Sequence, residues 1–511
     1  MEILFVASEA APFAKTGGLA DVCGALPAAL ARLGHKVIVM IPAYRQIESV
    51  SLPIETTDIA LRVMVGDREV WGGLQKSCLP NTDVPIYFIK HDHYYHRDGL
   101  YNSGGVDYQD NCERFIFFCR GVFEAIEQLG LSPDIIHAND WQTGLVPAYL
   151  KTVLRQEPLH DGLEFFGSDP LHTSDDVSEI SGRWDKVRTV FTIHNMRHQG
   201  RFWHWDMQKT GIDWKYFTYD KMEFYGQLNL LKTGIIFADA ITTVSPEYAK
   251  EITTEGFGES LQGVLRYRGK ALSGILNGID TNEWNPATDP NLAANYDASS
   301  VFEKKPLCRA ALQREMGLPE NPDAMLFGVV SRFDPQKGLD LIADIIPKRV
   351  ERSGAQFVIL GTGEPELESR FRELAARYPN NVAAAIRFGA PLSHRIEAGC
   401  DVFLMPSRYE PCGLNQMYSQ RYGTLPLVRR TGGLADTVVN ADDTTLANGT
   451  ATGFSFYWGT ADDLDKAIDW AISCQKNRPD AWKKMILTAM NVDHSWNKSA
   501  KEYEALYRRI L

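Results

Sequence analysis

The sequence has few cysteines, no long apolar run and no excess of positive charge, and each absence excludes a class of protein. Its 511 residues contain eight cysteines and no C-x-x-C pair, which argues against a disulfide framework or a zinc ribbon. The longest early apolar run, Ile3 to Ala7, is too short for a signal peptide or a membrane span. We therefore expect a cytoplasmic protein of a reducing compartment, with no membrane partner.

The charge balance is acidic. Lys and Arg number 53 and Asp and Glu 65, for a formal net charge of −12. A protein that binds nucleic acid along its whole surface is normally basic, so we expect no nucleic-acid partner. Any anion must instead be held by a local group of cations. Hydrophobic residues make up 44%, enough for roughly two to four packed domains.

The first half of the chain predicts a parallel sheet. Ile3–Ser8 has the pattern of a buried strand, Leu19–Leu33 that of a helix ended by Gly34, and Lys36–Ile41 that of the next strand. Such a strand–helix–strand unit pairs its strands in parallel. A further helix is predicted at Asn111–Gln128 and further strands at Val84–Ile89, Asp134–His137, Val187–Ile193 and Ala240–Val244.

A second alternation of strands and helices begins near Ala324. Its strands are predicted at Met325–Ser331, Phe357–Leu360, Ala383–Phe388, Val402–Pro406 and Pro426–Arg429, with helices at Gly338–Ser353 and Pro365–Arg377. The expected fold class is α/β, with two doubly wound parallel sheets in one chain and a cleft between them. Ligands of such sheets bind at the carboxyl ends of the strands.

The expected domains are residues 1–260, residues 261–485 and a C-terminal helix, 486–511, that packs back on the first domain. An acidic stretch rich in Gly, Pro and Ser, residues 157–186, is predicted as a surface insertion. The polar segment Asn440–Gly449 is predicted as an exposed loop.

One short motif nearly repeats. Lys15–Val22 is KTGGLADV and Arg430–Thr437 is RTGGLADT, and each follows a predicted strand and precedes a predicted helix. In the first copy, a Gly pair lets backbone amides approach an anion, and Lys15 adds a positive charge, which favours a diphosphate. It is not a Walker loop. Independent convergence on a Gly-Gly turn remains the alternative.

Two further loops carry charged residues at strand ends. Arg332 and Lys337 precede a predicted helix, where two cations favour a diphosphate, although a solvated loop would show the same residues. Glu410 follows the predicted strand Val402–Pro406 and can accept hydrogen bonds from sugar hydroxyls or offset an oxocarbenium charge. Cys412 has no adjacent base in sequence, so we do not expect it to act as a nucleophile.

Two more strands end in polar residues. Thr192-Ile-His194-Asn195 closes one and His137-Ala-Asn-Asp140-Trp141 another, and together they offer hydrogen-bond partners and an aromatic face suited to a sugar. A metal site from His137, Asp140 and His194 lacks the paired helical spacing of common zinc enzymes, so no metal is predicted.

Together these strings resemble the bacterial glycogen synthase and starch synthase family, glycosyltransferase family 5. The resemblance extends over essentially the whole chain. It is carried by the motifs above, by Gly274-Ile-Leu-Asn277-Gly-Ile-Asp280, by Glu410-Pro-Cys-Gly-Leu-Asn-Gln-Met and by Arg430-Thr-Gly-Gly-Leu-Ala-Asp-Thr, in this order.

The resemblance implies a GT-B fold of two Rossmann-like domains. It also implies retaining transfer of glucose from ADP-glucose to the non-reducing 4-hydroxyl of an α-1,4-glucan, such as glycogen or a maltooligosaccharide, with release of ADP and no metal or other cofactor. The implied catalytic residues are Lys15, His194, Arg332, Lys337 and Glu410. The implied substrate-binding residues are Gly17, Gly18, Asp21, Tyr101, Asp140, Asn195, Asn277, Phe388, Cys412, Gly413, Leu414, Thr431 and Gly432.

Two positions depart from related patterns, and three alternatives stay open. After the aromatic Phe388, which could stack on adenine, the acidic residue often seen in the family is missing. Tyr418 stands eight positions after Glu410, where many related transferases carry a second Glu. The alternatives are a transferase with UDP-glucose or another acceptor, a non-catalytic glucan-binding paralogue, and a glucan phosphorylase. The sequence leaves the oligomeric state, including a homo-oligomer, open.

Overall fold

The structure is a computed structural model that describes residues 1–155 and 182–511. The chain forms two compact units. Unit 1 comprises Met1–Val244, Ala249–Ile275 and Ser499–Leu511, and unit 2 comprises Ser245–Tyr248 and Leu276–Lys498. The main division along the chain falls after Ile275, whereas the sequence pattern predicts it after residue 260. Residues 157–181 of the expected insertion 157–186 lie outside the described residues.

The strands of unit 1 follow the predicted buried segments closely. In chain order they are β1 (Glu2–Val6), β2 (Lys36–Pro42), β3 (Glu55–Val65), β4 (Arg68–Cys78), β5 (Pro85–Lys90), β6 (Asn102–Ser103), β7 (Val106–Asp107), β8 (Ile135–Asn139), β9 (Arg188–Ile193), β10 (Arg201–Trp203), β11 (Glu223–Phe224), β12 (Gln227–Asn229), β13 (Ala240–Thr243) and β14 (Leu272–Gly274).

A nine-stranded sheet forms the centre of unit 1, in the order β14-β13-β9-β8-β1-β2-β5-β4-β3. The seven strands from β14 to β5 run parallel. From β1 the chain winds outward through β2 to β5, then returns to β8 on the other side and continues outward. The topological switch point lies between β1 and β8, whose carboxyl ends are where ligands of such sheets bind.

The hairpin β3–β4, which the sequence pattern did not predict, extends the sheet in antiparallel pairing. Its residues alternate between exposed and buried, as in a sheet that packs one face on the core and exposes the other to solvent. At the other edge, β14 pairs in parallel with β13 and so extends unit 1 to Ile275. A separate antiparallel sheet has the order β10-β12-β11.

Unit 2 contains a six-stranded sheet in which every pairing is parallel. Its strands are β15 (Leu326–Val330), β16 (Gln356–Gly361), β17 (Val382–Ile386), β18 (Val402–Met405), β19 (Leu425–Arg429) and β20 (Phe454–Phe456). Their order, β17-β16-β15-β18-β19-β20, repeats the winding of unit 1, so the switch point lies between β15 and β18.

The helices cover both faces of the two sheets, which is why the central strands are almost continuously apolar. Phe327 and Phe357 belong to one core cluster, whereas their chain neighbours Leu326 and Val358 belong to another. The helices are α1 (Gly18–Arg32), α2 (Asp92–Tyr95), α3 (Asn111–Gln128), α4 (Leu145–Tyr149), α5 (Asp206–Thr210), α6 (Leu230–Phe237), α7 (Pro246–Glu251), α8 (Gln262–Tyr267), α9 (Val301–Glu315), α10 (Leu339–Ser353), α11 (Pro365–Arg377), α12 (Ala390–Gly399), α13 (Asn415–Arg421), α14 (Gly432–Thr437), α15 (Asp443–Asn448), α16 (Ala461–Asn477), α17 (Pro479–Met490) and α18 (Trp496–Ile510).

Two local predictions are wrong. The segment Asn440–Gly449 is not a simple loop, because Asp442 accepts a hydrogen bond from the Thr445 amide and caps helix α15. Strand β17 ends at Ile386, so Phe388 lies in the loop beyond it. No helix among the described residues is long and apolar enough to cross a membrane.

Candidate active site

The loop after β1 is organised by a carboxylate that the sequence analysis missed, Glu9. This buried side chain accepts hydrogen bonds from the Thr16 amide at 2.6 Å, the Thr16 hydroxyl at 2.6 Å and, more weakly, the Gly17 amide at 3.4 Å. The Tyr101 hydroxyl also donates to Glu9, at 2.6 Å. Two amides of the predicted anion-binding turn therefore donate to Glu9 within the protein. The sequence feature that could have indicated Glu9 is an acidic residue immediately after a predicted buried strand.

Lys15 presents its ammonium group at the surface of the same loop. The side chain is about half exposed, and its Nζ lies 2.5 Å from Oδ1 of Asp21, in the first turn of α1. Nothing stands within 4 Å of where a Cβ of Gly17 or Gly18 would be. The side of the turn beyond the two glycines is thus open to a ligand, with a cation beside it.

The polar residues at the carboxyl ends of β8 and β9 lie next to the loop after β1, because β8 pairs with both β1 and β9. The Asp140 carboxylate accepts a hydrogen bond from the His194 amide at 2.7 Å and another from the Asn195 amide. The Asn139 amide group donates to the carbonyls of Val6 and His137, so its Oδ1 is the acceptor that lies 3.0 Å from His194 Nε2. Nε2 of His194 must then carry the proton, and Nδ1, which has no partner among the described residues, can accept a hydrogen bond from a hydroxyl.

Burial shifts the titration of these two groups in opposite directions. It lowers the pKa of His194 to about 3, so the imidazole is neutral at physiological pH. It raises the pKa of the Asp140 carboxyl to about 7, against the two amide hydrogen bonds that favour the ionised form. The Asp140 backbone, at φ 57° and ψ 179°, is in a region where residues other than glycine are strained. Strain and a perturbed pKa together are typical of a functional residue.

Aromatic rings line this side of unit 1. The Trp141 ring lies 6.4 Å from Tyr101 and 5.7 Å from Phe202, centroid to centroid. Gly200 is required beside it, because its φ is +59° and a Cβ would come within 2.3 Å of the indole. The structure therefore brings Lys15, Tyr101, Asp140, His194 and Asn195 to one edge of the sheet, with Glu9 among them.

His137 does not belong to this group. Its ring is fully buried, with Nδ1 2.7 Å from the Tyr507 hydroxyl and Nε2 2.6 Å from the Thr192 hydroxyl. Burial lowers the pKa of His137 to about 3. It is a structural residue that joins β8 to α18. Within residues 1–155 and 182–511, no three His, Cys, Asp or Glu side chains are placed to hold a metal ion.

In unit 2 the loops after β15 and β18 bring Lys337 and Glu410 into contact, and Arg332 lies in the first of these loops. Lys337 donates from Nζ to the buried Glu410 Oε2 at 2.7 Å, and the Ser407 hydroxyl donates to the same oxygen at 2.9 Å. Arg332 is exposed, and its guanidinium makes no hydrogen bond or ion pair in the described part of the chain. One cation is thus held by the carboxylate, and the other is available to a ligand.

A neighbouring ion pair fixes these two loops relative to each other. The Arg408 guanidinium donates to both carboxylate oxygens of Asp340, at 2.8 and 2.6 Å, and to the Pro335 carbonyl at 2.7 Å. The Arg408 amide donates to the Gln336 carbonyl. Bidentate pairs of this kind restrict orientation as well as distance. The positions of Lys337 and Glu410 therefore follow from a rigid contact between loops.

The backbone around Cys412 packs against the second TGGLAD segment. The φ of Gly432 is +43°, and a Cβ there would lie 2.0 Å from the Glu410 carbonyl oxygen. Burial raises the pKa of the Cys412 thiol to about 12, so it stays protonated and is not a nucleophile. The Asn277 backbone hydrogen bonds to that thiol, while Oδ1 of Asn277 is buried without a partner among the described residues. Gly413, with a φ of +72°, and Leu414 lead from Cys412 into α13, and Thr431 is the N-cap residue of α14.

The two positions that depart from related patterns have different surroundings. The Phe388 ring is 86% exposed and is free to stack on a planar ligand. Tyr418 stacks on Trp284 with centroids 3.7 Å apart, and the other face of Trp284 stacks on His394 at 4.0 Å. The tyrosine in place of a second Glu is therefore part of a stack of three rings within unit 2.

Two units that share one Rossmann-like winding, each with polar groups at the switch point, define the class of protein as a GT-B glycosyltransferase. The catalytic domain of starch synthase IV from Arabidopsis thaliana, solved bound to ADP and acarbose, matches with a TM-score of 0.87 and 32% identity, covering 99% of both chains. Sucrose-phosphate synthase from Thermosynechococcus elongatus matches with a TM-score of 0.54 at 16% identity, over 100% of this chain and 98% of the other, which supports the fold alone.

The sequence comparisons identify the family within that class. The family model of the starch synthase catalytic domain matches residues 2–166 and 174–267, and that of glycosyl transferases group 1 matches residues 313–486. Glycogen synthase from Anaeromyxobacter sp. strain Fw109-5 is 46% identical over 100% of this chain and 99% of its own, and that from Rhodopirellula baltica is 43% identical over 100% and 98%. The chain belongs to the glycogen synthase and starch synthase family and is a glucosyltransferase of that type, as the sequence predicted.

Proposed function

We propose that this glucosyltransferase takes glucose from ADP-glucose, adds it to the non-reducing 4-hydroxyl of an α-1,4-glucan with retention of configuration, and releases ADP. The full-length similarity to glycogen synthases supports the acceptor, since their name states the polymer. The starch synthase IV structure, bound to ADP and acarbose, supports an adenine diphosphate and a glucan-like ligand.

In the proposed reaction the bond between glucose C1 and the β-phosphate oxygen breaks, and its electron pair stays on the phosphate. The acceptor 4-oxygen forms a bond to C1 on the same face, and its proton passes to the departing phosphate oxygen. Negative charge therefore develops on ADP as positive charge develops on the glucose ring. Fixed cations near the phosphate lower the barrier because they need no reorganisation during the reaction.

The proposed phosphate-binding groups are Lys15, Arg332 and Lys337, and we propose that they replace a metal ion, so that no cofactor is needed. The observation that carries this proposal is the exposed guanidinium of Arg332, which has no hydrogen-bond or ion-pair partner among the described residues and lies in the loop after β15, at the switch point of unit 2, in a chain with a net charge of −12. A cation left without a carboxylate partner in an acidic protein is available to an anionic ligand.

The proposed sugar-binding groups follow from their free hydrogen-bond capacity. His194 offers Nδ1 as an acceptor, and Asp140 and Glu410 offer carboxylate oxygens. We assign Tyr101, Asn195, Asn277 and the turns at Gly17–Gly18, Cys412–Leu414 and Thr431–Gly432 to the surrounding substrate contacts, with Asp21 positioning Lys15 and Phe388 stacking on adenine.

The test is transfer of labelled glucose to glycogen, from ADP-glucose or UDP-glucose, with EDTA present. We expect transfer from ADP-glucose that EDTA does not reduce, and a loss of roughly 10²–10³-fold in kcat for Arg332→Ala, as for removal of one preorganised donor. The control is Arg370→Ala, which removes a partly exposed arginine of α11 that pairs with Asp344 in the same unit.

Each other outcome contradicts a defined part of the proposal. Faster transfer from UDP-glucose would show that UDP-glucose rather than ADP-glucose is the donor. Glycogen binding without turnover would indicate a non-catalytic paralogue. Loss of activity with EDTA would show that a metal ion is required. Arg332→Ala activity equal to that of the control would remove Arg332 from the phosphate site.

A further inference from the structure

Asn139, the last residue of β8, is a polar side chain with no access to solvent, at 0% exposure. It stands in the strand-end motif His137–Trp141, but the family resemblance does not include it among the site residues. A buried amide that lacks hydrogen-bond partners would destabilise the fold, so its partners have to be protein groups. The identity of those partners decides what Asn139 does.

The orientation of the Asn139 amide is fixed by two backbone carbonyl groups. Its Nδ2 lies 3.2 Å from the carbonyl oxygen of Val6, at the end of β1, and 3.2 Å from that of His137, in β8. Carbonyl oxygens only accept hydrogen bonds, so both amide hydrogens are used there. A reversed amide would set Oδ1 against two carbonyl oxygens. Oδ1 therefore faces the third neighbour of the amide.

That third neighbour is His194, the residue after β9. Its Nε2 lies 3.0 Å from Oδ1 of Asn139, and since Oδ1 has no hydrogen to give, Nε2 is the donor. Burial lowers the pKa of His194 to about 3, so the ring is neutral and has a single N–H. Nδ1 is then the nitrogen with a lone pair, and it has no partner among the described residues.

Two consecutive residues hold His194 at two points. The Asp140 carboxylate accepts a hydrogen bond from its backbone amide at 2.7 Å, and Asn139 accepts one from its ring. The first contact fixes the backbone. The second restricts rotation of the ring, because hydrogen bonds to a ring nitrogen are directional. One ring nitrogen is thus used within the protein, and the other is left to a ligand.

We infer that Asn139 is a positioning residue that selects the Nε2–H tautomer of His194 and so makes Nδ1 an acceptor for a hydroxyl of the substrate sugar. This inference rests on the proposed function. In the opposite tautomer, the Nε2 lone pair would face the Asn139 oxygen and Nδ1 would be a donor. The hydrogen bond on one nitrogen of an imidazole in this way sets the role of the other. An acceptor that is already oriented needs no rearrangement during the reaction.

Nuclear magnetic resonance reads the tautomer directly, without turnover. In protein with ¹⁵N-labelled histidine, a ring nitrogen that carries a hydrogen resonates far from one that does not, and couplings to the ring protons distinguish Nδ1 from Nε2. The signals of His194 are those lost in His194→Gln. We expect the Nε2–H tautomer in the wild-type protein. In Asn139→Leu, which removes the acceptor at similar size, we expect the Nδ1–H form or a mixture of both.

Kinetics measure what this tautomer contributes. We expect Asn139→Leu to lower kcat/KM for ADP-glucose roughly tenfold or more, the value of about one hydrogen bond. The Kd for ADP, which contains no glucose, should be unchanged. Asn139→Asp keeps an acceptor oxygen in the same place, so it should retain the Nε2–H tautomer and a higher kcat/KM than Asn139→Leu.

The matched control is Gln356→Leu, in unit 2. Gln356 is buried at the amino end of β16, and its Nε2 donates to the carbonyls of Pro319 and Asn380 while its Oε1 accepts from Gln313. This substitution removes the same set of hydrogen bonds but none to a histidine. We expect Gln356→Leu to lower the urea midpoint as much as Asn139→Leu does, with wild-type kinetics.

The outcomes separate this inference from the proposed function. An Nδ1–H tautomer in the wild-type protein overturns it, as does an Asn139→Leu variant that keeps both the tautomer and the kcat/KM of the wild type. Loss of ADP affinity in step with transfer also overturns it, because the substitution would then act through the fold of the site. If the wild-type protein transfers no glucose from ADP-glucose, the proposed function fails, and the resonance experiment still decides the tautomer.

Discussion

At the scale of single residues, the site depends on which polar atoms are already bonded within the protein. Lys15 is paired with Asp21 and Lys337 with Glu410, whereas Arg332 makes no such bond within the described residues. A bound diphosphate would have to compete for the first two cations but not for the third. Arg332 is therefore the residue whose substitution tests the proposed phosphate site most directly.

Asp140 gives a prediction for pH dependence. Its carboxyl has a pKa of about 7, raised chiefly by burial, so it is largely protonated at pH 6 and ionised at pH 8. The ionised form accepts more hydrogen bonds from sugar hydroxyls. We therefore expect kcat/KM for the donor to rise with pH through an inflection near 7, because this parameter reports the free enzyme.

The matched pair of variants for this prediction is Asp140→Asn and Asp58→Asn, which changes an exposed acid of β3. We expect Asp140→Asn to lose the inflection and to lower kcat/KM roughly 10- to 100-fold at pH 8, the value of one hydrogen bond to a charged group. By linkage, a carboxyl with a raised pKa in the folded state loses stability as pH rises from about 4 to 7, so Asp140→Asn should remove that dependence. An inflection that persists in Asp140→Asn would assign it to another group.

At the scale of elements, the loops at the strand ends depend on close backbone contacts. Gly432 is the first residue of helix α14, has a positive φ and lies against the Glu410 carbonyl. Lys15–Val22 and Arg430–Thr437 share a sequence but not this geometry, because helix α1 starts at the second glycine of its motif and α14 at the first. The neighbouring loop, not the motif alone, sets the conformation.

Gly432→Ala tests this contact. The added Cβ would lie 2.0 Å from the Glu410 carbonyl oxygen, so the Glu410 loop must shift. We expect a loss of about 1–3 kcal/mol in unfolding free energy and an increase in the KM for ADP-glucose of tenfold or more. Gly263→Ala, in helix α8 with open space around it, should leave both unchanged or raise stability slightly. Equal behaviour of the two variants would show that the Glu410 loop tolerates the shift.

At the scale of the whole molecule, the last residues of the chain complete the first unit. Helix α18 starts in unit 2, and its residues from Ser499 onward belong to unit 1. Ala500, Tyr503 and Tyr507 are fully buried, and Tyr507 meets His137 in the central sheet. The stability of unit 1 thus depends on a segment more than 200 residues away along the chain from β14.

Tyr507→Phe measures that dependence. The substitution leaves His137 Nδ1 buried without its partner, which should cost about 1–3 kcal/mol in unfolding free energy. Tyr267→Phe removes a hydroxyl from a side chain that is 85% exposed in the same unit and should have no effect. Urea denaturation monitored by circular dichroism gives both values. Equal stabilities for the two variants would show that the buried hydrogen bond contributes nothing.

Local pattern alone determined much of this protein. Apolar runs and glycine stops predicted most of the central strands and their helices, because burial on both faces leaves a continuous apolar signal. The order of the motifs predicted the family, the fold class and the residues at the strand ends. The hairpin β3–β4 and the helix at Asp443–Asn448 gave weaker hydrophobic patterns, because strands with only one buried face and short capped helices contain many polar residues.

Only the tertiary structure decided which of those residues interact. Glu9 with Tyr101, Asn139 with His194, and Lys337 with Glu410 are separated by between 55 and 92 residues, and the winding of the strands brings them together. It also set the neutral state of His194, the raised pKa of Asp140 and the exposure of Trp203 and Trp205. Burial and hydrogen bonding depend on neighbours in space, and these are fixed by strand order rather than by sequence spacing.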